Sequence, residues 1–173
     1  MIIVSGLARS GTSLMMRMLQ SGGIEVFTDR VRKPDEHNTH GYSEVEDIGK
    51  KLEENPYFLS DITGCCKVLS PFLRHLQGGH KIIYMERDLE EVAASMEKMS
   101  GIPVTPDERA ALGRHVESMK DYLKGKDVIY VNYNNLVTTP GLECNKISDF
   151  VPELEMIKAL GAIDKAQYRN RKK

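Results

Sequence analysis

The sequence lacks any strong excess of charge. Its 173 residues carry 24 Lys and Arg against 25 Asp and Glu, a net charge of -1. No overall field draws it to nucleic acid or to an anionic membrane, so neither is expected as a partner. Long apolar runs are also missing, and none approaches the length of a membrane span. Met1-Ile2-Ile3-Val4 leads directly into Ser5-Gly6, which does not read as a signal peptide. Cysteine is scarce: Cys65, Cys66 and Cys144 are an odd set with two adjacent members, not a disulfide framework. Buried reduced thiols fit better and point to a cytoplasmic protein. His37 and His40 are three apart with no second ligand pair, so no metal site is expected. Repeats and low-complexity segments are absent. Only the end, Arg169-Asn170-Arg171-Lys172-Lys173, is locally basic.

What is present is an alternation of short β-branched runs with longer amphipathic ones. It predicts one domain over 1–173, a three-layer α/β fold with a mostly parallel central sheet and flanking helices. Strands are expected at Ile2–Ser5, Ile24–Phe27, Cys66–Leu69, Lys81–Met85 and Val128–Asn132, nearly all apolar, as strands buried on both faces should be. Helices are expected at Thr12–Gln20, Ser43–Asn55, Asp88–Met99 and Thr105–Leu123. The last opens with a cap, a proline and a glutamate three residues after the cap. Pro140 and Pro152 are expected to open two final helices. Thr28–Tyr42 is polar and aperiodic, and a loop of that length in a compact domain often carries function.

Between the first strand and first helix lies Ser5-Gly6-Leu7-Ala8-Arg9-Ser10-Gly11-Thr12-Ser13. Gly6 and Gly11 let the backbone turn tightly and approach an anion. Successive N–H groups can form a nest, and the following helix adds free donors and its positive dipole end. Arg9 brings a charge and a planar donor fork, Ser10, Thr12 and Ser13 bring hydroxyls. The spacing is that of a nucleotide P-loop with Thr12 where the lysine usually stands. Without that lysine, and without a strand-terminal Asp to hold magnesium, triphosphate hydrolysis is disfavoured. Glu86 is the nearest substitute for the Asp.

At these residues the chain resembles the sulfotransferase superfamily that uses 3′-phosphoadenosine-5′-phosphosulfate (PAPS). The family loop, Pro-Lys/Arg-Ser-Gly-Thr-Thr/Ser, is similar to Ala8–Ser13. A second family motif is a strand, Arg, Asx-Pro, and a helix with Ser eight residues after the Arg. It is similar to Lys81–Met85 followed by Arg87-Asp88 and Ser95, with Leu89 in place of the proline. A third, a strand with Tyr-Glu-Asp and a later proline, is similar to Val128–Pro140 and matches Tyr133. The resemblance implies that Gly6, Arg9, Ser10, Gly11, Thr12 and Ser13 bind the 5′-phosphosulfate, Arg87 and Ser95 the 3′-phosphate, and Tyr133 the adenine. Lys67, near the sulfuryl group, would assist transfer together with Arg9, to a small-molecule or carbohydrate acceptor and without a metal. The cytosolic enzymes carry a histidine two residues after that lysine, where this chain has Leu69. The general base is therefore expected elsewhere, at Glu36 or His37 within a polar segment that also holds His40 and Glu44. Two alternatives stay open: a P-loop nucleotide kinase or NTPase, and a non-catalytic nucleotide-binding protein of the same fold.

Overall fold

The computed structural model describes residues 1–29, 43–164 and Tyr168. Four strands, β1 (Ile2–Gly6), β2 (Cys65–Lys67), β3 (Lys81–Glu86) and β4 (Val128–Asn132), form one sheet of order β2-β1-β3-β4. Every pairing is parallel, with Val4 opposite Lys67, Gly6 opposite Met85 and Glu86 opposite Asn132. A parallel sheet needs cover on both faces, and alternate side chains of the same apolar strands supply both cores. Ile2, Val4, Ile83 and Met85 face helices α1 (Thr12–Ser21), α6 (Gly141–Phe150) and α7 (Met156–Leu160). Ile3, Cys66, Ile82 and Tyr84 face α2 (Ile48–Glu54), a 3-10 helix (Ser70–His75) and α4 (Pro106–Leu123). This is the three-layer α/β arrangement, with a sheet wholly rather than mostly parallel.

Local chemistry explains several boundaries. The Thr105 side chain accepts from the Glu108 N–H at 3.3 Å, and the Glu108 carboxylate accepts from the Thr105 N–H at 2.8 Å. That reciprocal cap, with Pro106 in the first turn, starts α4 where the sequence places it. Asp88 caps α3 (Leu89–Ser100) by accepting from the Glu90 and Glu91 N–H groups.

Four expectations need correction. Among the described residues Ile24–Phe27 makes a single bridge, Val26 with Cys65, and the strand it meets is three residues long. That strand stops at Lys67 rather than Leu69, since Leu69 caps the 3-10 helix that Pro71 helps to open. Helix α2 starts at Ile48, not Ser43: Ser43 and Asp47 both have left-handed backbones, φ 48° and 51°, which a helix cannot contain. Pro140 does cap α6, but Pro152 sits in a turn and Glu155 caps α7. A short helix that the sequence reading omits, α5 (Tyr133–Thr138), follows β4 directly because the Asn132 side chain accepts from the Asn135 N–H.

Candidate nucleotide site

Parallel strands all end on one edge, so Gly6, Lys67, Arg87 and Tyr133 converge there from four consecutive places in the sheet. The loop 7–11 fills the centre. Gly6 has φ 139°, and a Cβ there would lie 2.6 Å from the Met85 carbonyl oxygen. Gly11 has φ 102°, and its Cβ would lie 2.3 Å from Cδ2 of Tyr133. Both positions therefore require glycine, for conformation and for space. Arg9 is also left-handed at φ 70°, an unusual state for a long side chain and a common one in ligand-binding loops. Ser10 is buried, and its hydroxyl donates to the Leu7 carbonyl at 2.7 Å. It braces the loop. Thr12, also buried, opens α1, so the helix N-terminus faces the same space as the loop amides.

One flank of the loop is a dense ionic and aromatic cluster. The Arg87 Nη1 donates to the Arg9 carbonyl at 3.0 Å, and its Nε donates to the Glu91 carboxylate at 3.1 Å. Both side chains are almost wholly buried, 7% and 3% exposed, where a paired charge is retained only with further hydrogen bonds. Tyr168 supplies one, donating its hydroxyl to Glu91 at 2.9 Å. The guanidinium lies 4.5 Å from the centroid of the Tyr133 ring and 5.8 Å from that of Tyr168. Burial raises the phenol of Tyr133, while the nearby Arg87 charge lowers it. Ser95, buried on α3, accepts from the Arg9 Nε at 3.1 Å. Thus Arg9, Gly11, Arg87, Ser95 and Tyr133 form one connected group. Glu143 of α6 steadies its rim by accepting from the Asn132 N–H at 3.1 Å, just before Tyr133.

Among the described residues the other flank is smaller. The Lys67 ammonium is buried, donates to the Ser13 hydroxyl at 3.2 Å and pairs with the Glu44 carboxylate at 2.7 Å. Glu44 is held in turn through its backbone, whose carbonyl accepts from the Thr28 hydroxyl at 2.6 Å. It lies ahead of α2, so it is not a first-turn helix carboxylate. Glu36, His37 and His40 lie outside the described residues. Leu69 stands where the family histidine would be, at the start of the 3-10 helix.

The sequence reading missed Glu91, Tyr168 and Glu143. A carboxylate one turn after Arg87 was available as a signal for Glu91. Tyr168 carried none, because Glu91 lies 77 residues away, and Glu143 reads locally as a helix carboxylate beside Lys146. Among the described residues no group of three or more His, Cys, Asp or Glu side chains could hold a metal ion. No helix among them is long and apolar enough to cross a membrane.

No protein-family model and no curated protein matches the sequence. Solved structures do resemble the fold. The sulfotransferase domain of the curacin biosynthetic pathway aligns with a TM-score of 0.56 at 14% identity, covering 94% of this chain and 77% of that one. Mouse sulfotransferase SULT7A1, complexed with PAP, aligns with a TM-score of 0.57 at 17% identity, covering 99% of this chain and 67% of that one. A sugar kinase from Janibacter sp. HTCC2649 aligns at 0.51 and 13% identity, covering 96% of both chains. The chain therefore has a sulfotransferase-like P-loop α/β fold, an architecture it shares with a sugar kinase.

Proposed function

We propose that this protein transfers the sulfuryl group of PAPS to a hydroxyl or amine of a small-molecule or carbohydrate acceptor. The observation that carries the reading is the double grip on the loop: Arg87 holds it at the Arg9 carbonyl and Lys67 at the Ser13 hydroxyl. The residues suit the nucleotide. Two positions that exclude a Cβ shape a backbone cradle for the 5′ anions, Gly6 and Gly11. Arg87 and Ser95 would take the 3′-phosphate, and Tyr133 would take the adenine. The likeness to a sulfotransferase complexed with PAP supports this choice.

In the proposed reaction the acceptor oxygen or nitrogen attacks sulfur in line with the bridging phosphate oxygen. The bond from sulfur to that oxygen breaks, and the acceptor proton passes to a base. Lys67, Arg9 and Thr12 would stabilise the charge that grows on the bridging oxygen. Glu36 and His37 remain the proposed bases, and Glu44 is the described carboxylate that sits at Lys67.

The sugar kinase likeness favours phosphoryl transfer as a second reading. Thr12 in the lysine position argues against it. Incubation with sulfur-35-labelled PAPS and a panel of phenols, amines and sugars should move label to at least one acceptor without added magnesium. Label transfer only from γ-labelled ATP, and only with magnesium, would replace the sulfotransferase reading with the kinase one.

A further inference from the structure

Strands that finish at the phosphate loop begin at the opposite edge of the sheet, and a cavity lies there. It is a cleft of about 460 Å³ bounded by the 3-10 helix, residues 78–82, and the end of α4 with the turn into β4. That volume is within the range of roughly 300–1,000 Å³ typical of small-molecule sites. None of its lining residues belongs to the nucleotide site.

The floor is apolar: Leu73, Leu76, Ile82 and the ring of Tyr122. Tyr122 is fixed in place, its hydroxyl donating to the Leu73 carbonyl at 3.2 Å. Gly78 and Gly79 leave the backbone bare along one side. Three polar groups stand at the wall and rim. The His80 Nε2 faces the Gln77 carbonyl at 3.1 Å, and a carbonyl only accepts, so Nε2 carries the proton. Nδ1 is then a lone-pair acceptor; it is buried, and no described residue donates to it. Burial and the nearby N-terminal amine lower the pKa of this ring, which keeps it neutral and Nδ1 accepting. The Lys126 ammonium lies 4.5 Å from the Tyr122 ring centroid and has no carboxylate partner among the described residues. Asp127 is anchored by its backbone carbonyl, which accepts from the Ile82 N–H at 2.8 Å. Its carboxylate makes no ion pair among the described residues. Of the other cations nearby, Arg74 donates to Ser118 and Lys81 to the Phe150 carbonyl, while the N-terminal amine lies close enough to His80 to lower its pKa.

Each open group asks for a different complement. The carboxylate calls for a positively charged donor, the ammonium calls for an anion, and the floor calls for an apolar body. We propose that this cleft binds a zwitterionic α-amino acid with an apolar side chain. Its ammonium goes to Asp127, its carboxylate to Lys126, and its side chain to Tyr122 and the leucines.

The test is an NMR titration of the full chain with L-phenylalanine, phenethylamine and 3-phenylpropionate. Phenylalanine should give saturable shifts confined to residues 73–82 and 122–127. Each analogue lacks one charged group and should bind about fivefold or more weakly, the effect of losing one screened charge-assisted hydrogen bond. Lys126→Ala and Asp127→Asn, both at exposed positions, should lose a similar factor for phenylalanine while keeping wild-type melting curves. No saturable shift in this region, equal binding of all three probes, or unchanged affinity in both variants would each overturn the proposal.

Discussion

The two flanks of the phosphate loop are built on different terms. On the Arg87 side, a buried ion pair is locked by a tyrosine hydroxyl, two aromatic rings and the loop backbone itself. On the Lys67 side, one buried ammonium reaches Ser13 and a partly exposed Glu44, 22% accessible, on a segment with two left-handed residues. The first flank is part of the core and should resist rearrangement. Among the described residues the second rests on one ion pair and one hydroxyl, and Glu44 is partly open to water. The proposed transfer would use that asymmetry, with one end fixing the nucleotide and one responding to charge that develops in the reaction.

Removing each flank should therefore have opposite signatures. Arg87→Ala leaves the Glu91 carboxylate buried without its cation, at a cost of about 3–5 kcal/mol of stability. Urea denaturation should show it, and Arg87→Leu with Glu91→Leu should recover much of the loss without restoring nucleotide binding. Recovery of binding as well would mean that Arg87 is purely structural. Gly11→Ala comes next, at about 3 kcal/mol from a strained left-handed backbone and a Cβ pressed into Tyr133. Adding Tyr133→Ala should return part of that by removing the clash. A Gly11→Ala protein as stable as wild type would show that the Tyr133 contact does not shape the loop.

Lys67→Ala should lower stability by only about 1 kcal/mol. Under the proposed reaction it should reduce kcat on the order of 10²-fold, the effect of losing a preorganised cation near the transition state. Equal loss of stability in the Arg87 and Lys67 variants would erase the difference between the flanks. The smallest effect near neutral pH lies beneath the Lys67 flank. Burial pushes the thiols of Cys65 and Cys66 in β2 up to about 12. A thiol raised in the folded state favours folding fully below its ordinary value of 9.0, and that contribution is lost as pH rises toward 12. Melting temperature should be insensitive to these groups below pH 8.5 and fall from pH 9 upward. Cys66→Ala should flatten that fall.

The same contrast governs what the sequence reveals. The loop 5–13 is legible because strand, glycines and helix start are contiguous, and α4 because its cap is written within four residues. Arg87 and Ser95 are paired through the family resemblance, and the structure brings each of them to Arg9. Their surroundings are not legible in the sequence, since Glu91 joins Tyr168 across 77 residues and Glu143 joins Asn132 across a helix. Ile24–Phe27 has strand composition, but among the described residues it makes a single bridge to β2. Ser43–Asn55 has helix composition, yet the chain turns left-handed at Ser43 and Asp47, which brings Glu44 to Lys67. That outcome depends on a distant lysine, not on local propensity.

The Arg87 flank is proposed to read a 3′-phosphate on an adenine nucleotide held by the loop. Calorimetric titration of the wild-type protein with adenosine 3′,5′-bisphosphate, AMP and ATP, each with and without magnesium, tests it most directly. The bisphosphate should bind about tenfold or more tightly than AMP, the effect of one charge-assisted phosphate contact, and magnesium should not strengthen it. Equal affinity for the bisphosphate and AMP, or tighter magnesium-dependent binding of ATP, would contradict it.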